Sequence, residues 1–273
     1  SGKVRALAGI AFSAPQPPGS VFKIVTATAA LEQKVAKPTT QYPVATHAVI
    51  DGVTLENASG ESCGGTLVQS FAHSCNSVFA PLGVKLGAGR LVDAAERFGF
   101  NEPPKLAGAA PSTIPPASEI DSPLAVGSTA IGQGKVLATP LQMALTASAI
   151  ANGGVRHEPT LLEGSEPSKP FRVTTRKVAR QVERMMIEVV RSGTGTAASL
   201  APISVAGKTG TAELESTAGP TANPTASETD AWFAAYAPTG KPKLAVGVLF
   251  VKAGGGGAVA APAARVVLEA ALR

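Results

Sequence analysis

The run Ile203-Ser204-Val205-Ala206-Gly207-Lys208-Thr209-Gly210-Thr211-Ala212-Glu213 decides the fold class. Ile203–Ala206 leading into Lys208–Glu213 reads as a strand, and two more follow at Ala231–Tyr236 and Leu244–Val251. Ser216–Thr229, rich in Thr, Ala and Pro, reads as the loop between the first two. Ala261–Arg273 closes the chain as a helix, with Val266, Val267 and Ala270 turned inward. Working back to the other end, Lys3–Ala8 reads as a further short strand. Strands at both ends with helices between them predict an α+β fold. Its core is a central antiparallel β-sheet flanked by helices, with a mostly helical subdomain inserted.

The middle of the chain carries the helical signals. After the Pro-rich turn Ala14–Gly19, residues Ser20–Gln33 place Ile24, Ala27, Thr28 and Leu31 on one face. Thr66 is the expected N-cap of a short helix through His73. Further helices are expected at Ser77–Leu86 and Gly89–Phe98, followed by a proline-rich loop over 103–123. Thr139-Pro140 is a cap followed by proline at the first helical position. The helix it starts runs to about Ala151 and stops at Asn152-Gly153-Gly154. Thr175 caps another, ending near Val190 at Ser192-Gly193. Gly254–Gly257 reads as a turn or flexible loop.

Composition narrows the function. With 273 residues, 44% hydrophobic and 16% charged, the chain is long enough for a substantial core and is no disordered polyelectrolyte. Aromatics are only 4%, so that core is built mainly from Ala, Val, Leu and Ile. The net charge of +5 is too small to argue for nucleic acid. His47, His73 and His157 lack metal-ligand spacing, so no metal is expected, and two cysteines make no zinc site. Gly207-Lys208-Thr209 imitates the end of a phosphate loop, but Pro202 stands where that loop needs glycine. No dinucleotide fingerprint is present, and no cofactor is expected. The longest uncharged stretch, Val136–Val155, is too broken by polar residues to be a membrane span.

Four motifs remain. In Ser20-Val21-Phe22-Lys23, residues three apart share a helix face, so the Ser20 hydroxyl and Lys23 amine can meet. A serine becomes nucleophilic only when a base takes its proton, and lysine can serve if burial and nearby cations lower its pKa. Alone, this spacing is a weak signal and more often marks a serine cap beside an incidental surface lysine. Ser74-Cys75-Asn76 puts a hydroxyl and an amide on one wall of a cleft, or is a polar helix end. Lys208-Thr209-Gly210-Thr211 suits a substrate carboxylate, or is a solvated edge strand with a protective lysine. Asp230-Ala231-Trp232-Phe233 reads best as sheet packing.

Taken in order, SxxK, SxN and KTGT on a strand are the signature of penicillin-binding proteins and class A β-lactamases. The chain resembles the transpeptidase domain of a class B penicillin-binding protein nearly end to end. The likeness includes Pro17–Lys23, Ala72–Asn76, Ile131-Gly132-Gln133-Gly134, Thr139–Met143, Ile150–Gly154, Gly193-Thr194-Gly195, Ala206–Ala212 and Asp230–Phe233. Cys75 stands where class A β-lactamases have Asp, which argues against that branch. Only nineteen residues precede Ser20. Residues 1–273 are therefore expected to be one penicillin-binding transpeptidase domain, with an N-terminal module and membrane anchor absent from this chain.

The resemblance implies a serine D,D-transpeptidase that cross-links peptidoglycan stem peptides ending in D-Ala-D-Ala and is acylated by β-lactams. Ser20 is the implied nucleophile, Lys23 its base, and Ser74 the proton relay in the positive field of Lys208. Asn76 is assigned to the substrate amide, with Thr209, Gly210 and Thr211 on its carboxylate side. The Ser20 and Thr211 backbone N–H groups form the expected oxyanion hole. Other cell-wall synthesis proteins are expected partners, nucleic acid is not, and contact with the membrane would run only through the missing anchor. The implied location is the extracytoplasmic face of the bacterial membrane. A β-lactam sensor domain, a D,D-carboxypeptidase or β-lactamase, and an inert scaffold are the alternatives, the last opposed by the intact motifs. The extracytoplasmic location favours a Cys63–Cys75 disulfide, since it is the one pairing available. Closing that loop adds about 3 kcal/mol by the chain-entropy relation. Cys63 must then double back along the helix after Thr66, which Gly60, Gly64 and Gly65 permit.

Overall fold

The structure, a computed structural model, describes residues 2–162, 169–213 and 229–273. One turn of 3-10 helix, Gly19–Phe22, runs into α1 (Lys23–Glu32). Four short strands follow: β1 (Gln41–Ala45), β2 (His47–Ile50), β3 (Val53–Glu56) and β4 (Cys63–Thr66). Helices α2 (Leu67–Ala72), α3 (Asn76–Leu86), α4 (Ala88–Phe98), α5 (Pro123–Ala130) and α6 (Pro140–Ala151) make up the helical part. Then come β5 (Val155–Arg156), β6 (Phe171–Arg172) and α7 (Arg176–Arg191). The chain finishes with β7 (Ala206–Glu213), β8 (Thr229–Ala237), β9 (Leu244–Phe250) and α8 (Ala260–Leu272). The α+β expectation holds.

The sheet is antiparallel in the order β7-β8-β9, with Lys208 opposite Ala234 and Thr211 opposite Ala231. β8 is buried along its whole length. Alternate side chains of a strand point to opposite faces, and here the two faces feed two cores. Trp232, Ala234 and Tyr236 join the main core with α1, α6 and α7. Ala231, Phe233, Ala235 and Ala237 join a second core under α8.

Side-chain caps explain four of the eight α-helix starts among the described residues. Thr66 and Gln69 form a reciprocal capping box at α2. Thr139 accepts Gln142 N–H at 3.1 Å, and Thr175 accepts Val178 N–H at 3.2 Å. Such caps contribute about 1 kcal/mol each. Ser122-Pro123 repeats the Thr139-Pro140 signature and starts α5, with Ser122 accepting Ala125 N–H. The expected loop over 103–123 hides that start because of its many prolines. Asp51 and Gly52, at φ 51° and 77°, form the turn of the β2–β3 hairpin. Asp-Gly is a strong signal for a type I′ hairpin turn, so this element too was present in the sequence.

Several expectations are corrected. Lys3–Ala8 forms no strand; Lys3 makes one parallel bridge to Thr160. Arg5, Ala6 and Ala8 face solvent, so the segment has no buried alternate face to hold it in a sheet. α1 is not amphipathic in place: Lys23 through Leu31 are all buried. A helix enclosed on every side needs no polar face, and its hydroxyls are satisfied internally, Thr26 on Ala130 O and Thr28 on Ile24 O. α8 presents Ala260, Ala261, Ala264 and Leu268 to the second core, while Val266, Val267 and Ala270 are exposed. The small alanines dock closely on the alanine-rich face of β8, and that choice turns the valines outward. The expected Ser216–Thr229 loop lies outside the described residues except for Thr229, which begins β8.

Candidate active site

Ser20 sits half-buried in the 3-10 turn that opens α1. That turn abuts the outer edge of β7 backbone to backbone. Gly19 has φ +51°, and an added Cβ would lie 2.8 Å from Thr211 O. One added at Gly210 would lie 2.7 Å from Pro18 O. Only glycine permits this approach. The Ser20 and Thr211 N–H groups thus belong to two segments in direct contact.

Lys23, three residues on, is fully buried. Its Nζ donates to Ser74 O and to Asn76 Oδ1, both at 2.6 Å, and reaches Ser74 Oγ at 3.3 Å. Lys208 is also fully buried, with Nζ donating to Ser74 Oγ at 2.9 Å and to Thr209 O at 3.0 Å. The surface-lysine alternatives for both motifs are therefore excluded. Ser74 Oγ stands between two amines that come 51 residues before it and 134 residues after it in the chain.

The electrostatics follow from burial. Burial holds the Lys23 amine well below the ordinary lysine range, and the neighbouring Lys208 pushes it further down. Burial alone brings Lys208 to about 7. Among the described residues no carboxylate pairs with either. Both amines instead stand on aromatic faces, Lys23 5.5 Å from the Phe79 ring and Lys208 5.6 Å from Phe71. The two rings meet edge-on at 5.9 Å. This aromatic floor has no counterpart in the sequence motifs, although Phe71 and Phe79 each lie three residues outside Ser74 and Asn76.

Ser74 follows the end of α2 at φ +61°, a left-handed backbone for a residue with a Cβ. Such strain persists only where surroundings over-determine it. Cys75 supplies one restraint, joined to Cys63 in a disulfide with Cα atoms 5.8 Å apart. Cys75 N–H also bonds Ser70 O at 2.9 Å. β4 returns antiparallel to β1, with Cys63 opposite Ala45, and so lies back beside α2. Asn76 supplies a second restraint, its Nδ2 donating to Glu56 O at 2.7 Å. One amide hydrogen of Asn76 is left for a ligand.

On the strand side, Thr209 Oγ1 lies 2.5 Å from Thr194 Oγ1. Gly193-Thr194-Gly195, without an assigned role in the sequence, thus borders the KTGT edge. Thr211 Oγ1 accepts Gly256 N–H at 3.2 Å. The Gly254–Gly257 run is a wall packed on this edge, and Gly254 and Gly256 are buried.

Two buried lysines that meet at Ser74, one of them a helical step from Ser20 at the edge of an antiparallel sheet, form the kind of site that suits serine–lysine acyl transfer. The penicillin binding protein transpeptidase domain model matches residues 1–269, and the chain belongs to that family. The peptidoglycan D,D-transpeptidase PbpA of Mycolicibacterium smegmatis is 36% identical over 288 residues, covering 96% of this chain and 56% of the relative. The structure of penicillin-binding protein A from M. tuberculosis in its imipenem acyl-enzyme complex is similar with a TM-score of 0.85 and 33% identity, over 97% of this chain and 62% of that one. The D,D-transpeptidase domain of a peptidoglycan glycosyltransferase from Eggerthella lenta gives 0.84 and 32%, over 97% and 67%. The chain spans about half the length of the curated relatives it matches.

Proposed function

We propose that this chain is the acyl-transfer domain of a peptidoglycan D,D-transpeptidase and a target of β-lactams. The observation that carries the reading is Ser74 Oγ held between two buried amines, 3.3 Å from Lys23 and 2.9 Å from Lys208. Unprotonated Lys23 has two N–H bonds and one lone pair. Ser74 O and Asn76 Oδ1 take the two hydrogens, leaving the lone pair for a hydroxyl proton. Lys23 removes the proton of Ser20, whose oxygen attacks the carbonyl of the penultimate D-Ala. The Ser20 and Thr211 N–H groups receive the oxyanion, and losing one such donor costs about 3 kcal/mol. As the carbon–nitrogen bond breaks, the proton passes through Ser74 to the departing D-Ala amine. An amine from a neighbouring stem then attacks the acyl-enzyme and gives its proton to Lys23, which hands it to the departing Ser20 oxygen, so that Ser20 is free and Lys23 uncharged again. Lys208, Thr209 and Thr211 hold the terminal carboxylate, with Gly210 keeping that edge open, and Asn76 holds the substrate amide.

Residues 1–273 are read as one penicillin-binding unit acting at the extracytoplasmic face of the membrane, alongside other cell-wall synthesis proteins. The names of the relatives and the Cys63–Cys75 bond support that location. Among the described residues no helix is long and apolar enough to cross a membrane.

Intact mass spectrometry after incubation with benzylpenicillin tests the reading. One adduct per chain is expected, mapped to Ser20 and missing from Ser20→Ala. An adduct elsewhere would overturn the assignment, and free enzyme regenerated within seconds would favour a β-lactamase.

A further inference from the structure

Asp230 is fully buried, and none of the steps above uses it. It lies opposite Ala212 near the start of β8. Its Oδ1 accepts Lys252 N–H at 2.9 Å, while Oδ2 is buried with no partner. Sheet packing accounts for Trp232 and Phe233, but Ala or Leu would pack at 230 without burying a half-satisfied carboxyl.

The single bond of Asp230 holds the turn out of β9. Lys252 has φ +54°, and the next two N–H groups, of Ala253 and Gly254, both reach Thr229 O, at 2.9 and 3.2 Å. The chain then crosses the sheet at close range. An added Cβ would lie 2.2 Å from Gly210 O at Gly256, and 2.4 Å from Thr194 O at Gly257. From this seat Gly256 donates its N–H to Thr211 Oγ1. A hydroxyl that accepts a bond there has its own hydrogen free to turn to a ligand.

We propose that Asp230 is a positioning residue for recognition of the substrate carboxylate: by holding Lys252 N–H it seats the 252–257 loop, and Gly256 N–H then orients the Thr211 hydroxyl. The inference rests on the transpeptidase reading and extends its carboxylate site beyond the KTGT motif. The two Thr229 bonds keep the loop folded without Asp230, so its loss loosens the seat and leaves the fold intact.

The test compares two probes of Ser20, benzylpenicillin, which carries a carboxylate, and phenylboronic acid, which does not. Asp230→Ala should slow penicillin acylation about tenfold through weaker initial binding, the scale of one weakened hydrogen bond to a charged group. Phenylboronic acid affinity should stay within about twofold, an amount below one hydrogen bond. Asp230→Asn keeps the Oδ1 acceptor and should restore penicillin acylation. Thr211→Val should lower it, and Asp230→Ala in that background should lower it no further. If Asp230→Ala does not fold, Asp230→Ser, which draws the acceptor back from Lys252, reads the same contrast. Equal loss with both probes, no loss with penicillin, or additive losses in the double variant would overturn the proposal. Wild-type protein that takes up neither probe would instead overturn the transpeptidase reading, and this inference with it.

Discussion

Lys23 and Lys208 share burial, an aromatic floor and Ser74, yet they sit in different electrostatic states. Lys23 meets three oxygens from the SxN segment and feels Lys208 as a second cause of its lowered pKa. Lys208 projects from β7, meets two oxygens, and is lowered to about 7 by burial alone. Two adjacent cations in a dry site are unfavourable, so one amine gives up its proton before the other. The proposed mechanism uses Lys23, one helical step from Ser20, as the uncharged amine and Lys208 as the charged one.

Exchanging these roles by mutation gives the largest expected effect. Lys23→Ala should slow penicillin acylation by about 10³-fold with little change in initial binding, as expected for removing a general base. Lys208→Ala should cost about 10²-fold and weaken initial binding as well, as expected for losing charge stabilisation. Stopped-flow acylation across penicillin concentrations separates the two terms. Equal, small effects would break the distinction.

The pH profile separates the lysines next. If Lys23 is the base, as proposed, it acts unprotonated, so acylation should fall at acid pH as it gains its proton. If Lys208 holds the carboxylate as a cation, as proposed, acylation should also fall as pH rises through about 7. Acylation against pH should therefore be bell-shaped, and Lys208→Arg should remove the alkaline limb while keeping the acid one. A flat profile from pH 5 to 8 would count against both roles.

The disulfide acts on what the lysines share. Cys63→Ala with Cys75→Ala should cost about 3 kcal/mol of stability by the loop-entropy relation. Because Cys75 lies between Ser74 and Asn76, acylation should also slow severalfold. Chemical denaturation and acylation rates measured together check this, and a stability loss with unchanged acylation would confine the bond to a structural role.

The smallest effect concerns the aromatic floor. A cation–π contact contributes about 0.5–1 kcal/mol to the charged form. Phe79→Leu should therefore move the acid limb down by roughly half a pH unit, and Phe71→Leu the alkaline limb by a similar amount. Shifts that ignore which ring was removed would show that the floor does not distinguish the lysines.

Much of the framework was legible because it rests on local chemistry. Thr66, Thr139 and Thr175 cap helices through atoms three residues away. The same local rules encoded α5 at Ser122-Pro123 and the Asp51-Gly52 hairpin, but a proline-rich background and short strands masked them. The failures were non-local. Lys3–Ala8 had strand-like residues without a partner edge, and the inward face of α8 depended on which side chains β8 offered it.

The sequence by itself determined the order SxxK, SxN, KTGT, the helix and strand that carry them, and the family to which the chain belongs. The three-residue step from Ser20 to Lys23 is a property of any helix, and it needs no tertiary contact. Only the tertiary structure decided that both lysines are buried with no carboxylate partner among the described residues, that they meet at one hydroxyl, and that Ser74 is held left-handed between a disulfide and a hydrogen bond of the Asn76 amide. It also placed Asp230 Oδ1 on Lys252 N–H and Gly256 N–H on the Thr211 hydroxyl. The physical reason is range: capping and periodicity act through neighbouring backbone atoms. Burial, and the pKa changes it causes, depend on segments more than a hundred residues apart.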